Sequence, residues 1–195
     1  MVNKEKIAEN ISKVFSPVVM AFIPTLLFSL YPQFETQNFN FWISLASGIF
    51  FLSIFPALAV LYYTRKGKID LWVSDREARS PFYLIAIIGY VLASIVFYYL
   101  DYHLMFILSV AYIYVTGVLL LVNLLWKVST HSGGVTGPIT ALIYVFGWKA
   151  TPFLVFIPIV FWARKKLKAH TFSQLIAGVI IAGFTTWIVY VILYS

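Results

Sequence analysis

The sequence predicts an all-α protein, a single polytopic bundle of about six or seven transmembrane helices over residues 1–195. Of these residues 62% are hydrophobic and only 11% are charged. The mean hydropathy is +0.90, whereas soluble domains are about 45–50% apolar and about 25% charged. The apolar residues also form runs close to the roughly 20 residues that a helix needs to cross a bilayer. These observations predict one integral membrane domain.

The amino-terminal segment, residues 1–13, differs in composition from the rest of the chain. Lys4, Glu5, Lys6, Glu9 and Lys13 alternate in it, which is typical of a segment at the membrane interface. The apolar run that follows is long and lacks a small-residue cleavage site, so we expect a first span rather than a cleavable signal peptide. The absence of cysteine excludes disulfides, thiolate catalysis and cysteine metal sites.

Seven spans are predicted from the apolar runs. The ambiguous region is 132–163, where a single helix would place Lys149 near the middle of the membrane at a cost of several kcal/mol. Pro152 suits the first turn of a new helix and Thr151 its N-cap, so we expect a tight hairpin here. The predicted spans are Val14 to Tyr31, Phe41 to Tyr63, Phe82 to Leu100, Leu104 to Trp126, about Ser132 to Trp148, about Pro152 to Lys168, and Thr171 to Tyr194.

This alternation of spans places nearly all the basic residues on one side of the membrane. Thirteen of the 14 Lys and Arg residues fall there, and only Lys149 falls on the other side. Basic residues are concentrated in cytoplasmic loops. We therefore expect a multi-pass protein of the cell (inner) membrane with its N-terminus and this face in the cytoplasm.

Three polar segments interrupt the apolar sequence, and all three are predicted to lie at the basic face. The first polar segment is Asp75 to Pro81, the second is Ser129 to Ser132, and the third is Arg164 to Gln174. In the third segment, His170 and Gln174 are four residues apart, so they lie on one face of a helix and the amide can orient the imidazole. Arginines suit bidentate phosphate binding. Two histidines with arginines therefore indicate phosphoryl transfer, with one imidazole as nucleophile and the other as acid.

The three segments resemble the signature motifs of the type 2 phosphatidic acid phosphatase superfamily. That pattern is Lys-x6-Arg-Pro, then Pro-Ser-Gly-His, then Ser-Arg-x5-His-x3-Asp. Here the third motif reads Ala163-Arg164, five residues, His170, three residues and Gln174. The second keeps Ser129 and His131, and the first is reduced to Arg79-Ser80-Pro81, with Trp72 at the position of the lysine. The resemblance covers about residues 68–174.

The resemblance implies roles for individual residues. It makes His170 the nucleophile, His131 the general acid, and Arg79, Ser129 and Arg164 phosphate ligands, while Lys68 or Arg76 substitutes for the lysine of the first motif. Gln174 stands where the family has an aspartate; it can accept a hydrogen bond but supplies no charge. Either the site works with glutamine, or an acid such as Asp70, Asp75 or Glu77 compensates, or the protein is not a fast phosphatase, and the first two together are favoured over the third. Backbone amides near Gly133 could receive the anion, or the glycines could serve close helix packing.

These observations predict a membrane-embedded phosphatase that hydrolyses a phosphomonoester or diphosphate of an isoprenoid or glycerolipid through a phosphohistidine. The expected partners are the phosphorylated lipid and the bilayer, with no nucleic acid and no metal or other cofactor. The alternative is a noncatalytic protein that binds or moves phosphorylated lipids. A prenyltransferase is disfavoured because the sequence lacks paired aspartate-rich motifs, and a channel because the spans contain few ionisable residues.

Overall fold

The computed structural model describes residues 3–31 and 39–194, and the elements in this part of the chain are all helical. This confirms the prediction of an all-α bundle. Residues 1, 2, 32–38 and 195, which belong to the predicted single domain, lie outside the described residues. The helices are α1 (Lys4–Val14), α2 (Pro17–Met20), α3 (Phe22–Leu30), α4 (Phe41–Ile49), α5 (Phe55–Arg65), α6 (Ser80–Tyr99), α7 (His103–Leu125), α8 (Thr130–Phe146), α9 (Phe156–Lys166) and α10 (Phe172–Leu193).

Five helical stretches of the described chain are long and apolar enough to cross a membrane, and the amino-terminal helices add a sixth if they count as one bent span. The five stretches are Phe41–Arg65, Glu77–Tyr99, His103–Leu125, Thr130–Lys166 and Phe172–Leu193. The apolar face of such a bundle is fully compatible with a bilayer, and large side chains such as Leu125 and Tyr99 are more than 80% exposed on it.

The amino-terminal region is bent rather than one straight span. Helix α1 begins at its cap Asn3, whose side chain accepts hydrogen bonds from the Glu5 and Lys6 amides. The chain then turns by 45° into α2 and α3, where Ser16 caps the new helix and Pro17 occupies its first turn, as these residue types favour. Helix α1 packs against α9, so the polar amino-terminal segment belongs to the bundle.

The stretch Thr130–Lys166 folds back on itself at Gly147, which confirms the predicted hairpin. A straight helix of 37 residues would be about 55 Å long, yet Val135 and Ile139 of α8 pack with Val160 of α9 in one apolar cluster. Gly147 makes the reversal with φ 62° and ψ −141°, a conformation that favours glycine.

The predicted capping of the second hairpin helix is wrong. Pro152 lies inside a 3-10 helical stretch, Gly147–Val155, and the α-helix begins only at Phe156. The Thr151 hydroxyl donates to the Trp148 carbonyl at 2.7 Å instead of capping a helix. Thr151 and Pro152 therefore precede the second hairpin helix without capping it, and Gly147 makes the reversal.

Helix α10 packs closely on α8 because both helices present small residues at the contact. A Cβ atom added to Gly178 would lie 2.5 Å from the Ser129 carbonyl oxygen and 3.3 Å from the Gly133 nitrogen. Helices that approach this closely in a membrane depend on such small residues. The contact holds the start of α8 against the start of α10, which fixes the second and third polar segments side by side.

Candidate functional site

The three polar segments converge at one end of the bundle around the indole of Trp72. The Trp72 ring centroid lies 5.3 Å from that of the His131 ring, and the Arg164 guanidinium carbon lies 5.5 Å from the same indole. The Ser129 amide donates to the Gln174 carbonyl at 3.2 Å, which joins the second segment to the third. Residues more than 90 positions apart in the chain therefore share one site.

Arg79 enters the site from the 3-10 turn Glu77–Arg79 that precedes α6. Its side chain is only 6% exposed. Its Nε donates to the Val73 carbonyl at 2.8 Å and one Nη donates to the Val128 carbonyl at 2.9 Å. These bonds hold the loop before α6 against the segment before α8, and they fix a guanidinium in the wall of the site.

Arg164 lies near the end of α9 and is the most deeply buried cation of the site, at 3% exposure. Its Nε and one Nη have no hydrogen-bond partner among the described residues, and no described carboxylate lies within ion-pair distance of it. Burying a charge without partners costs several kcal/mol. A group left in that state is a ready donor for an anion.

His170 is 6% exposed and is held by the residue predicted to hold it. The Gln174 Oε1 atom accepts from His170 Nδ1 at 3.2 Å, so Nδ1 carries the proton and Nε2 keeps its lone pair. Burial and the neighbouring Arg79 and Arg164 lower the pKa of His170 to about 3. The imidazole is therefore neutral at pH 7, which is the form that a nucleophile requires.

Gln174 performs two tasks with one oxygen atom. Its Oε1 also accepts from the Thr171 amide at 3.1 Å, while the Thr171 hydroxyl accepts from the Gln174 amide at 3.3 Å. This reciprocal pair is a capping box. The oxygen that orients His170 is thus fixed by the start of α10.

His131 lies in the first turn of α8, is 7% exposed, and is oriented by the amino-terminal helix. Its Nε2 lies 3.2 Å from the Ser12 carbonyl oxygen. A carbonyl can only accept, so Nε2 carries the proton. Nδ1 is therefore the ring atom left to take up and give a proton.

Two cavities meet at His170. The larger, of about 460 Å³, is lined mostly by apolar side chains and also by Arg79, His131 and His170. The smaller, of about 340 Å³, is lined by His170 together with Lys127, Lys165 and Lys168. Burial and the nearby Arg79 and Arg164 lower the pKa of Lys127, which shows how strongly positive this region is. Arg164 lines neither cavity and lies against Trp72.

The structure places two predicted phosphate ligands outside the site. Arg76 is bonded to the carboxyl end of α7, where one Nη donates to the Asn123 carbonyl at 2.9 Å and the other lies 3.4 Å from Glu77. Lys68 extends over the Tyr63 ring at 5.7 Å. Neither side chain lines either cavity, so the first polar segment contributes only Arg79.

Ser129 and Gly133 lie at the site but are occupied by the helix. The Ser129 hydroxyl accepts from the Ser132 amide at 3.3 Å and from the Ser132 hydroxyl at 3.1 Å. The Gly133 amide donates to the Ser129 carbonyl at 3.1 Å. Gly133 lines the large cavity, yet its amide is used within the helix, which favours the packing role.

Among the described residues, no acid takes the place of the aspartate that the family motif carries. Asp70 accepts from the Ser74 amide, the Ser74 hydroxyl and the Trp72 amide. Burial raises the pKa of Asp70, but these hydrogen bonds outweigh burial and the net pKa is lowered. Asp75 accepts from the Glu77 amide, and Glu77 pairs with Arg76. None of the three carboxylates is bonded to His170.

Three residues of the site were not predicted from the sequence as functional. Trp72 is the residue that the histidine and the arginine share. Ser12 and Lys13 come from the amino-terminal segment, since Ser12 bonds His131 and Lys13 lines the large cavity. The one available signal was Trp72 itself, because it occupies the position of the lysine in the first motif.

Among the described residues, no three His, Asp or Glu side chains come together as a metal-binding group. No protein-family model, curated protein or solved structure matches the chain. The site must therefore be interpreted from its own geometry and from the motifs of the sequence.

Proposed function

We propose that the protein is a membrane-embedded lipid phosphate phosphatase. It hydrolyses the phosphomonoester or diphosphate of an isoprenoid or glycerolipid through a phosphohistidine at His170. The observation that supports the proposal is that Arg79, His131 and His170 are buried at one end of an apolar cavity, with the buried Arg164 behind the Trp72 ring and no described carboxylate paired to either arginine.

Two arginines, Arg79 and Arg164, supply the positive charge of the proposed phosphate site. Arg79 lines the cavity and presents its fixed guanidinium to the phosphoryl oxygens. Arg164 has two nitrogen atoms, Nε and one Nη, without a hydrogen-bond partner. Its guanidinium lies against the Trp72 ring. The Trp72 side chain has to rotate before those donors can contact the same phosphate. Fixed cations around a phosphoryl group stabilise the charge of its transition state.

The reaction proceeds in two displacements. His170 Nε2 forms a bond to phosphorus as the bond between phosphorus and the lipid oxygen breaks. The negative charge of the bound phosphate stabilises the imidazolium of His131, which gives its Nδ1 proton to the leaving oxygen. Water then attacks the phosphoryl group, His131 Nδ1 takes the water proton, and the nitrogen–phosphorus bond breaks. Lipid alcohol (or lipid monophosphate) and inorganic phosphate are released, and both histidines return to their first state.

Phosphate release from prenyl and phosphatidyl phosphates by the purified protein in detergent tests the proposal. Labelled substrate should also leave an acid-labile, base-stable phosphoryl group on the peptide that contains His170. If phosphate is released at the wild-type rate by His170→Ala, the mechanism is wrong.

The second candidate is a noncatalytic protein that binds or moves phosphorylated lipids. The observation that favours it is Gln174, which orients His170 without the negative charge that would stabilise the cation formed by phosphorylation. Tight binding of lipid phosphates with no phosphate release across substrates would support this candidate.

The predicted orientation belongs to the same proposal. The predicted alternation of spans puts 13 of the 14 Lys and Arg residues at the same end of the bundle as the site, and by the positive-inside rule that end would face the cytoplasm of a cell with an inner membrane. Substrates would then come from the cytoplasmic leaflet. Labelling of single cysteines placed at residues 66 and 149 by an impermeant reagent in intact cells would reveal the orientation.

A further inference from the structure

We propose that the large apolar cavity is the tail site of the lipid, that it takes a single hydrocarbon chain, and that Tyr90 and Tyr112 set the chain length. The inference rests on the proposed function, since it names the substrate class of the same site: single-chain alkyl or prenyl phosphates rather than diacyl lipids.

The cavity runs from the cations toward the middle of the bundle. The lining extends from Arg79, just before α6, to Tyr90 in α6, and from Leu119 to Leu108 in α7. Each stretch advances by eleven residue steps, about 16 Å at 1.5 Å per residue. Two antiparallel helices therefore give the same depth.

The charges of the lining all lie at one end. Lys13, Arg79, His131 and His170 line the cavity at the site, whereas the deep part is lined by side chains such as Leu52, Ala111 and Pro138. An occupant must match this arrangement with an anionic head and an apolar chain. A lipid phosphate has that form, and a free phosphate does not fill the deep part.

The size of the cavity favours one chain. A water molecule takes about 30 Å³ in the liquid, and a methylene group is similar in size. A volume of 460 Å³ thus holds on the order of fifteen carbon atoms. One medium-length chain fits this space and the depth, whereas the two long chains of a diacyl lipid exceed it.

The rings of Tyr90 and Tyr112 lie in the deep part of the cavity, where Tyr90 is the last lining residue of α6 and Leu108 that of α7. Their centroids lie 5.2 Å apart, and both line the cavity. Ala111 lies beside Tyr112 in α7 and is 2% exposed. A larger side chain at Ala111 should shorten the space, and a smaller one at Tyr112 should lengthen it.

Binding of n-alkylphosphonates, from hexyl to octadecyl, tests the inference by isothermal titration calorimetry. The carbon–phosphorus bond resists hydrolysis, so binding is measured without turnover. Each methylene buried is worth about fourfold in affinity. Ala111→Phe should weaken dodecylphosphonate more than tenfold while hexylphosphonate binds as before, and Tyr112→Ala should strengthen hexadecylphosphonate by about tenfold relative to the wild type. Each probe partitions into detergent to the same extent with every variant. The ratio of its affinities for two variants is therefore unaffected by that partition.

The control and the second variant keep the result interpretable. Leu121→Phe enlarges a residue of α7 that is 64% exposed on the outer face, and it should leave every ratio unchanged. If Ala111→Phe does not fold, Ala57→Phe narrows the same cavity from α5. Equal responses of all chain lengths in all variants, or a diacyl phosphatidate that binds as tightly as dodecylphosphonate, would overturn the inference.

Turnover separates this inference from the proposed function. If chain length governs binding as expected but no lipid phosphate is hydrolysed, the tail site stands and the phosphatase proposal fails. If phosphate is released at rates that do not depend on chain length in any variant, the phosphatase proposal stands and the tail site fails.

Discussion

The two ends of the bundle bury different kinds of side chain. At the end opposite the site the described buried groups are uncharged, such as Tyr190 and Phe28, and rings pack against one another there, as in the tilted pair Tyr144 and Tyr190 with centroids 5.4 Å apart. At the site end, Arg79 and Arg164 are buried with two histidines. Apolar burial stabilises a fold, whereas buried unpaired charge opposes it. The site end therefore retains groups that the fold alone does not require.

The largest expected effect is the loss of phosphate release when the histidine at the site end is replaced. Replacing a histidine at the opposite end should cause no such loss. His170→Ala should lower the rate of phosphate release by at least about a thousandfold, because it removes the attacking nitrogen. His103→Ala is the matched histidine change at the opposite end, where α7 begins. Its rate should stay near that of the wild type, measured as kcat in detergent. Equal losses in both variants would mean that folding, not chemistry, is being measured.

The next effect has opposite signs for activity and stability. Arg164→Met removes a buried cation whose Nε has no partner, so we expect phosphate release to fall about a hundredfold while the unfolding temperature rises. A gain of 1 kcal/mol would raise it by about 2–4 °C in a chain of this size.

Lys166→Met is the control for Arg164→Met, because it makes the same change at an exposed position of α9. Thermal unfolding and phosphate release should both stay close to the wild type. A lower unfolding temperature for Arg164→Met would show that this arginine stabilises the fold, and the contrast between the two ends would not hold.

The pH dependence of stability should depend on the buried histidine at the site end, His170. The pKa of His170 is about 3 in the folded protein and about 6.5 in an unfolded chain. Only the unfolded chain takes up this proton between those values, so stability is complete above pH 6.5 and falls as the pH drops toward 3. The loss from His170 is about 2 kcal/mol at pH 5, and His170→Gln should remove it. Unfolding of the two proteins from pH 8 to pH 4 measures the difference, and parallel curves would contradict the lowered pKa.

A smaller effect is expected from the residue that replaces the family's aspartate. Gln174→Glu gives His170 Nδ1 a charged acceptor and should raise kcat about tenfold, because a carboxylate stabilises the imidazolium formed on phosphorylation. Gln174→Ala should lower kcat about tenfold and also weaken the helix cap. Thr171→Ala also removes the helix cap but keeps Gln174. Like Gln174→Ala, it should lower stability by about 1 kcal/mol, but its kcat should change less.

The smallest effect separates two neighbouring arginines. Arg76→Gln should leave phosphate release unchanged and cost about 1 kcal/mol, because the guanidinium is bonded to carbonyls at the end of α7. Arg79→Gln should reduce phosphate release strongly. Similar activities for the two variants, compared at matched protein concentration, would mean that Arg79 does not hold the phosphate.

Much of the fold was predictable because it depends on local composition. The apolar runs give the helices, and the break near Gly147 gives the hairpin. The bend after α1 lies near the predicted boundary between the interfacial segment 1–13 and the first span from Val14, but the capping of the new helix by Ser16 and Pro17 was not predicted. The helix start after Gly147 was misplaced because a 3-10 stretch satisfies the same residues.

The sequence by itself determined an all-helical membrane protein, the spacing of His170 and Gln174, and the order of the three polar segments. These depend on composition and on contacts within one helical turn. Only the tertiary structure decided that Arg79 enters the site while Arg76 stays outside it, since both were predicted as phosphate ligands. It also brought Ser12 to His131 and Trp72 to Arg164, because such contacts arise from the packing of helices that are distant in the chain.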